Sequence, residues 1–268
     1  MIILAKKGNR LDGDVAFVSG AASGLNRGVA LEFARNGAVV ICADINNEGN
    51  QETVELIKSE GGEAYAIHMD ISKRQSVREA GEKAMAIKNK LTILINGAGV
   101  GSTSTLEDCS DEEYDRVMDI NLRGYFNSVM EIAPYVVHSG VGRIVMISSS
   151  TAKSGGHQGG PAYAASKGGV ISMMRHCALN WAKKNCRVNC ICPGFADTPF
   201  GYDPRQTKEE NEARLQIMKN NAAKAMPLGR LCMPEDIAGI CMFLVTDESA
   251  YVTGYTIDAT GGRYIYNT

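Results

Sequence analysis

Tyr163 and Lys167 are the residues of this sequence whose types and spacing best fit proton transfer. Four positions apart on a helix, a phenol and an ammonium share one face. Tyrosine has a pKa of about 10, so it is a poor base at neutral pH unless a nearby cation favours the phenolate. Lys167 can be that cation, and the serines of Ser148–Ser150 can bring a hydroxyl to the same reacting oxygen. The set predicts acid–base chemistry on an oxygen atom of a small-molecule substrate.

The segment Ser19–Asn26 has the composition of a phosphate-binding turn. It lies between a predicted strand and a predicted helix, where glycines let the backbone approach a pyrophosphate at the helix N-terminus. Asp44 follows the next strand, where a carboxylate accepts hydrogen bonds from the adenosine ribose and repels a 2′-phosphate. Its neighbours Ile45 and Asn46 are uncharged, so the sequence predicts NAD as the cofactor and not NADP.

Short apolar runs that alternate with segments of helical period must position these groups. The runs are rich in Val and Ile, as expected for strands that helices cover on both faces. The alternation predicts an α/β fold, with right-handed crossovers and a Rossmann-type doubly wound parallel sheet of seven strands. The predicted strands are Val15–Ser19, Ala38–Ala43, Ala64–Met69, Leu91–Asn96, Gly142–Ser148, Arg187–Cys192 and Tyr255–Asp258. The predicted helices are Arg27–Asn36, Asn47–Ser59, Lys73–Ile87, Asp111–His138, Tyr163–Asn185 and Pro234–Val245.

The long connection from Phe195 to Met226 has no strand character. Thr207 and Glu210 predict a capping box, which an apolar stripe follows. Because long insertions after the carboxyl end of a strand are often functional, we expect residues 195–226 to be a substrate lid; a surface helical hairpin is the alternative. No linker or repeat divides the chain, so residues 1–268 are expected to form a single domain. The stripe consists of Leu215, Ile217, Met218, Ala222 and Met226.

Composition and charge narrow the classes of function. The 268 residues are 44% hydrophobic and 22% charged, which is ordinary for a globular protein. A formal net charge of −2 gives no electrostatic reason to expect nucleic acid or an anionic membrane as a partner. No apolar run is long enough for a membrane span, and the cysteines and histidines lack metal-binding spacing. We therefore expect a cytoplasmic protein with no metal site and no structural disulfide.

Together these motifs resemble those of the short-chain dehydrogenase/reductase family, over about residues 10 to 262. The segment Ser19–Asn26 resembles the family's TGxxxGxG turn, Asn96–Gly99 resembles NNAG, and Pro193–Thr198 resembles PGxVxT. Tyr163 and Lys167 resemble its YxxxK pair. The resemblance implies that NAD binds at Gly20, Ser23, Gly24, Leu25, Asp44, Asp70, Ile71, Asn96, Gly97, Ala98, Tyr163, Lys167, Pro193, Gly194, Ala196 and Thr198.

The resemblance also implies a mechanism with four catalytic residues. Tyr163 passes a proton to or from the substrate oxygen while hydride moves between the substrate carbon and the nicotinamide. Lys167 lowers the pKa of the tyrosine and binds the nicotinamide ribose, and Asn121 holds a water that links Lys167 to solvent. A serine orients the carbonyl. The family's spacing selects Ser150, whereas the strand register selects Ser149, and we favour Ser149.

Three positions depart from the family's pattern. Asn26 replaces the third glycine of the turn, where its side chain could cap the helix or crowd the pyrophosphate. Gly97 replaces the second asparagine of NNAG, which is expected to loosen a loop beside the adenine. Ser19 replaces threonine and keeps the hydroxyl.

The sequence thus predicts an NAD(H)-dependent oxidoreductase that interconverts a secondary alcohol and its ketone, and the lid favours an apolar, hydroxysteroid-like substrate. A 3-oxoacyl-thioester reductase is an alternative, although such family members usually prefer NADPH, which Asp44 disfavours. A non-catalytic NAD(H)-binding regulator is another, which the retained Tyr163 and Lys167 disfavour. Helices near Asp111–His138 and Tyr163–Asn185 form the tetramer interface in similar proteins, so we expect a homotetramer.

Overall fold

Seven parallel strands form one sheet in the computed structural model of the protein, which describes residues 10–102, 104–155, 159–198, 200 and 207–264. The strands are β1 (Val15–Ser19), β2 (Val39–Asp44), β3 (Glu63–His68), β4 (Ile93–Asn96), β5 (Arg143–Ile147), β6 (Arg187–Pro193) and β7 (Thr256–Ala259). Their order is β3-β2-β1-β4-β5-β6-β7, and every neighbouring pair is parallel. The predicted seven-stranded, doubly wound sheet is confirmed.

Helices cover both faces of this sheet. They are α1 (Gly24–Arg35), α2 (Asn47–Ser59), α3 (Arg74–Lys88), α4 (Asp111–Met118), α5 (Gly124–Glu131), α6 (Ala133–His138), α7 (Thr151–Ser154), α8 (Gly160–Trp181), α9 (Lys208–Ala225) and α10 (Pro234–Val245). None of the helices within the described ranges is both long enough and apolar enough to cross a membrane.

Two hydrophobic clusters, one on each face of the sheet, make up the core. Successive residues of a strand point to opposite faces, so Phe17 packs with α3, α5 and α8 while Ala16 and Val18 pack with α1, α2 and α10. All five residues of β1 are buried. This two-sided burial explains why a central strand such as β1 is a continuous apolar run without polar alternation, whereas the edge strand β3 contains both exposed and buried residues.

The strand order reverses beside β1, and that reversal creates a crevice. The chain adds β2 and β3 on one side of β1 and then returns to place β4 on the other side. The loops that follow β1 and β4 therefore leave the carboxyl edge of the sheet in different directions. Ligands of doubly wound proteins bind at such a point.

The helix that the sequence predicts over Asp111–His138 is divided in the structure. A π-helical turn occupies Asp119–Arg123, and α6 begins after Ile132 with Pro134 in its first turn. Proline lacks the backbone N–H and its ring clashes with the preceding turn, so a break at this point is expected. The π-helical turn has no comparable marker in the sequence.

Two further elements differ from the sequence-based prediction, and both lie beside Tyr163. The short helix α7 follows Ser150 directly, and it was not predicted. Helix α8 begins at Gly160 and has Pro161 in its first turn, so Tyr163 is already helical and not the first helical residue.

Candidate active site

The Ser19 hydroxyl joins the loops that follow β1 and β4. It accepts hydrogen bonds from the backbone N–H groups of Gly97 at 3.0 Å and Ala98 at 3.3 Å, and it donates to Ile95 O at 3.3 Å. Gly20 has a φ of +76°, and a Cβ atom there would lie 2.8 Å from Ala98 Cα. Only glycine permits this close approach of the two loops.

Asp44 ends β2 and is held by the backbone. Its Oδ2 accepts a hydrogen bond from Ala22 N–H at 3.0 Å, and its Oδ1 accepts one from Asn46 N–H at 2.9 Å. A carboxylate oxygen has a second lone pair, so both atoms retain capacity to accept hydrogen bonds from a ligand. The nearby cation Arg27 is occupied, since it bonds to Gly49 O, Glu52 and Thr53.

The N-terminus of α1 opens onto the same crevice. Ser23 is the N-cap, but its side chain makes no capping hydrogen bond, and the first turn contains no acidic residue. The N–H groups of this turn are thus not satisfied by a side chain, which is the condition for binding a phosphate group. Together with Asp44, this end of the crevice fits the adenosine and pyrophosphate of a dinucleotide.

The two departures at Asn26 and Gly97 meet in space. Asn26 Nδ2 donates to Gly97 O at 2.9 Å, and a Cβ atom on Gly97 would lie only 2.2 Å from Asn26 Oδ1. The asparagine side chain therefore fills the space above the glycine and ties the two loops together. The expectation that Gly97 loosens its loop is wrong, and the side chain of Asn26 does not cap its helix.

Asp70 and Ile71 line the crevice after β3, whereas Asn96 does not. The Asp70 carboxylate accepts hydrogen bonds from the backbone N–H and the hydroxyl of Ser72. The fully buried Asn96 accepts a hydrogen bond from the Ser19 hydroxyl at 3.3 Å and donates one to Tyr125 O at 3.5 Å. Its contacts therefore place Asn96 behind the wall, where it supports the loop.

Ser149 and Tyr163 lie together at the carboxyl end of β5. Burial raises the pKa of Tyr163 to about 12, and a hydrogen bond from the Ser149 hydroxyl acts in the opposite direction. Ser150 lines the same cleft, but its backbone N–H bonds to Pro193 O at 2.9 Å and it stands at the N-cap position of α7 without a capping hydrogen bond from its side chain. Ser148 is turned away, because its hydroxyl donates to Lys167 O at 2.7 Å. Of the three serines, Ser149 is the one whose hydroxyl bonds to the phenol.

Lys167 is buried below the tyrosine. Its Nζ donates to Ile147 O at 3.1 Å and lies 5.9 Å from the centre of the Tyr163 ring and 5.1 Å from that of Tyr125. Burial lowers the pKa of Lys167 to about 8. The pKa of Tyr163 is thus shifted upward, in the opposite direction to the prediction, because burial of the phenol outweighs the hydrogen bond from Ser149.

Asn121 lies in the π-helical turn, adjacent to Lys167 but behind the cleft wall. Its Oδ1 accepts from Val100 N–H at 2.8 Å, and its Nδ2 donates to Val100 O at 2.9 Å and to the Ser166 hydroxyl at 3.4 Å. The amide thereby joins the loop after β4 to α8. Its position is set by tertiary contacts and not by helix propensity.

The crevice continues into a cleft of about 770 Å³ that reaches from Asp44 to the loops after β6 and β7. Nearly all predicted site residues line it; Asn96 and Asn121 are the exceptions. Within the described residues, no group of three or more His, Cys, Asp or Glu side chains is arranged so that it could hold a metal ion. Phe195, Phe200 and Lys219, which line the cleft, belong to the predicted lid. The cleft is also lined by residues that the sequence did not predict for the site, among them Val100, Ser102, Leu231, Arg263 and Tyr264.

The predicted lid is partly described. The capping box at Thr207 is confirmed, since Thr207 and Glu210 exchange hydrogen bonds of 2.8 and 3.2 Å. Leu215 lines the cleft, and Met226 packs with Leu231. Ile217 is exposed to solvent, so it does not belong to the predicted stripe. Pro199, residues 201–206 and the side chains of Met218 and Ala222 lie outside the described part.

Comparison with known proteins identifies the family. The family model described as "Enoyl-(Acyl carrier protein) reductase" matches residues 20–263. The 3-oxoacyl-[acyl-carrier-protein] reductase FabG of Thermotoga maritima is 35% identical over 256 residues, which cover 96% of this chain and 100% of the relative. A crystal structure of a short-chain type dehydrogenase/reductase from Mycobacterium marinum has a TM-score of 0.85 and 28% identity, over 94% of this chain and 96% of the other. This chain belongs to the short-chain dehydrogenase/reductase family.

Other members of the short-chain dehydrogenase/reductase family agree with this assignment. The 3-ketoacyl-(acyl-carrier-protein) reductase of Brucella melitensis, whose structure is a complex with NADH, has a TM-score of 0.85 and 30% identity, over 95% of this chain and 100% of that one. Oxidoreductase UcpA of Salmonella typhimurium is 34% identical, over 94% of this chain and 95% of the relative. The chain is therefore a short-chain dehydrogenase/reductase that acts on CH–OH donors, and the predicted resemblance is confirmed.

Proposed function

We propose that this protein is an NAD(H)-dependent oxidoreductase that interconverts a secondary alcohol and its ketone. The observation that carries the proposal is the buried cluster of Ser149, Tyr163 and Lys167 at the wall of the cleft. A bound nicotinamide supplies the hydride chemistry, because no side chain of a protein can donate or accept a hydride in this way. The residues of the chain then have to move a proton and orient the substrate.

Tyr163 is the residue that we assign to proton transfer. With a pKa of about 12, its phenol is protonated at neutral pH and is ready to donate to the oxygen of a ketone as negative charge develops there. The Ser149 hydroxyl donates a second hydrogen bond to the same oxygen. In alcohol oxidation Tyr163 accepts the alcohol proton only as the phenolate, so its phenol must first lose its own proton to solvent; the Lys167 ammonium together with the Ser149 hydroxyl stabilises that phenolate. Asn121 positions the loop at Val100 and, as in the family, is assigned to a water that links Lys167 to solvent.

Asp44 supports NAD over NADP. Its carboxylate is fixed by two backbone N–H groups with lone pairs to spare for the ribose hydroxyls, and its charge opposes a 2′-phosphate. Among the described residues that line this end of the cleft, none carries a positive charge to offset that repulsion. The cofactor positions named from the sequence are proposed as its binding residues, with Asn96 supporting them from behind.

An apolar substrate is favoured by the walls of the cleft beside Tyr163. Val100, Phe195, Phe200, Leu215 and Leu231 line it there. Such walls suit a hydroxysteroid-like or other apolar alcohol, and burial of that substrate supplies binding free energy in proportion to its apolar area. We also propose that residues 195–226 act as a lid on this substrate, within a chain that forms one domain over residues 1–268.

A 3-oxoacyl-thioester reductase is the second candidate. The names of the Thermotoga maritima and Brucella melitensis proteins support it, since both act on an acyl group carried by a protein. The same apolar walls could hold an acyl chain. The two candidates differ in the substrate, which is a free apolar alcohol in the first and an acyl chain bound as a thioester in the second. Tyr163, Ser149 and Lys167 have the same assigned roles in both.

We further propose a cytoplasmic homotetramer. Large apolar side chains are exposed on the helices that would form the interface, namely Phe126 and Met130 on α5 and Leu179 on α8. All eight cysteines are free, which suits a reducing compartment. A monomeric mass at micromolar concentration in light scattering would contradict the tetramer.

The proposed reaction is tested by following absorbance of the reduced nicotinamide with NAD and with NADP. The substrates are hydroxysteroids, polyols, 3-hydroxyacyl thioesters and 3-hydroxyoctanoate. We expect turnover with NAD, and a loss of about 1,000-fold in kcat/KM in Tyr163→Phe, with the Kd for NADH within threefold of wild type. Tyr251→Phe is the matched control, because Tyr251 is fully exposed. Undiminished turnover in Tyr163→Phe, or NADH binding without turnover of any class of substrate, would contradict the proposal.

A further inference from the structure

Charge is unevenly distributed along the cleft. The acidic residues that line it, Asp44 and Asp70, both belong to the end proposed for adenosine. The cations that line it, Lys167, Lys219 and Arg263, all belong to the end where the reaction takes place. Within the described lining, the reacting end therefore has an excess of positive charge, although the protein as a whole has a formal net charge of −2.

Two of these cations are already occupied. Lys167 is buried below Tyr163 and bonds to Ile147 O. Lys219 pairs with Asp197 at 2.5 Å, so its charge is balanced by a carboxylate of the neighbouring loop. Arg263 differs from both, because no carboxylate of the described residues lies within ion-pair distance of it.

Aromatic rings hold the Arg263 guanidinium at the cleft. Its Cζ lies 5.2 Å from the centre of the Phe195 ring and 5.4 Å from that of Tyr264. Contacts of this kind stabilise the cation through the ring faces but leave the N–H groups at the edge of the guanidinium available. A planar guanidinium with free N–H groups is the preferred partner of a carboxylate, which it binds through two parallel hydrogen bonds.

Strand pairing explains why this arginine reaches the reacting end. The carboxyl ends of β6 and β7 are in register, with Pro193 opposite Ala259, and Gly194 packs against Thr260. The chain after β7 therefore passes beside the chain after β6, which brings Arg263 to Phe195. Phe195 in turn contacts Met226 and Leu231, so the cation lies at the border of the apolar walls.

We propose that Arg263 binds a carboxylate carried by the substrate, so that the substrate is an apolar hydroxy or oxo acid and not a neutral alcohol. This inference rests on the proposed function, because it assigns the substrate class of the same cleft. The apolar body of the substrate lies against Phe195 and Leu231, and the carboxylate pairs with the guanidinium. Arg263 is thus a specificity-determining residue outside the proton-transfer machinery.

Binding of unreactive ligands tests this assignment without relying on turnover. Octanoate and octanamide have the same apolar chain and differ in charge, and each is titrated by calorimetry into enzyme saturated with NADH. We expect wild type to bind octanoate at least tenfold more tightly than octanamide. Arg263→Gln should bind the two within twofold of each other, with the Kd for octanamide unchanged. The control Arg35→Gln removes an arginine that pairs with Glu60 on the outer surface of α1, and it should retain the preference.

Three results would overturn the inference: no measurable octanoate binding, a preference that survives in Arg263→Gln, or a preference lost equally in Arg35→Gln. A rise of more than threefold in the Kd for NADH in Arg263→Gln would assign the cation to the cofactor and would also overturn it. Failure of the proposed function is distinguishable, since it is measured by oxidation of 3-hydroxyoctanoate and its methyl ester with NAD. Suppose that Arg263 determines the octanoate preference but that neither compound nor any other alcohol is oxidised. The carboxylate site at Arg263 would then be supported, and the proposed reaction would be contradicted.

Discussion

The two ends of the cleft are built on different physical principles. At the adenosine end, polar side chains such as Ser19 and Asp44 are held by backbone N–H groups of nearby loops. At the reacting end, Tyr163 and Lys167 are buried ionisable groups whose pKa values are shifted away from their ordinary values by desolvation. The adenosine end is thus a hydrogen-bonded frame. At the reacting end, desolvation disfavours the charged forms of Tyr163 and Lys167, and shifted pKa values of this kind are typical of catalytic groups.

After that of Tyr163→Phe, the largest expected effect tests the choice of serine at the reacting end. Ser149→Ala removes the hydroxyl that bonds to the phenol, so we expect kcat/KM to fall about a hundredfold, as for loss of one donor to a developing oxyanion. Ser150→Ala is the matched control and should stay within about threefold of wild type. Initial-rate kinetics with the substrate that responds best measure both. Equal losses in the two variants, or a larger loss in Ser150→Ala, would reverse the assignment.

The buried Lys167 should leave a signature in the pH dependence of stability. Its folded pKa of about 8 lies below the ordinary value of 10.5, so the folded state binds fewer protons than the unfolded state between these two pH values. The contribution of Lys167 to the free energy of unfolding therefore rises with pH across this window, by about 2 kcal/mol from pH ~7.5 to ~9.5.

Urea unfolding of wild type and Lys167→Met over that pH range measures this contribution. Subtracting the two curves removes the effect of buried thiols, such as that of Cys177, whose pKa is raised to about 11 by burial. The difference should grow in favour of wild type as pH rises. A difference that does not change with pH would mean that Lys167 keeps an ordinary pKa.

A carboxylate substitution at the adenosine end should change cofactor choice with little effect on proton transfer. Asp44→Ser removes the charge that opposes a 2′-phosphate, and we expect the ratio of kcat/KM for NAD to that for NADP to fall at least about tenfold. Asp70→Asn is the matched control, because Asp70 also lines this end and is expected to affect both cofactors alike. An unchanged ratio in Asp44→Ser would show that another group selects the cofactor.

The sequence predicts the adenosine end of the cleft more completely than the reacting end. Strand spacing and loop composition place Gly20 and Asp44 correctly, because a βα junction is a local structure. The register of β5 also places Ser149 beside Tyr163. By contrast, Lys219 and Arg263 reach the cleft only through the lid helix and the β6–β7 pairing, and these contacts between distant segments leave no local pattern. The π-helical turn around Asn121 is likewise set by contacts with Val100 and Ser166.

At the pair Asn26 and Gly97 the adenosine end departs from the family's pattern in two residues that contact each other, and substitutions of this pair give the smallest expected effect. Each residue alone would destabilise the fold. Asn26 Oδ1 is buried and has no hydrogen-bond partner among the described residues. Gly97 lacks a side chain, and the Asn26 side chain fills the space that this leaves. Gly97→Asn alone should destabilise the protein, because its Cβ would lie 2.2 Å from Asn26 Oδ1.

In the background of Asn26→Gly, the same Gly97→Asn substitution should cost much less, since the space is then open. We expect a coupling energy of about 1 kcal/mol in a double-mutant cycle of urea unfolding, with Asn26→Gly/Gly97→Asn closer to wild type than Gly97→Asn. Additive effects would mean that the two departures are independent. Coupling would show that the space between the two loops must hold one asparagine side chain. It would also show that this side chain can come from position 26 or from position 97.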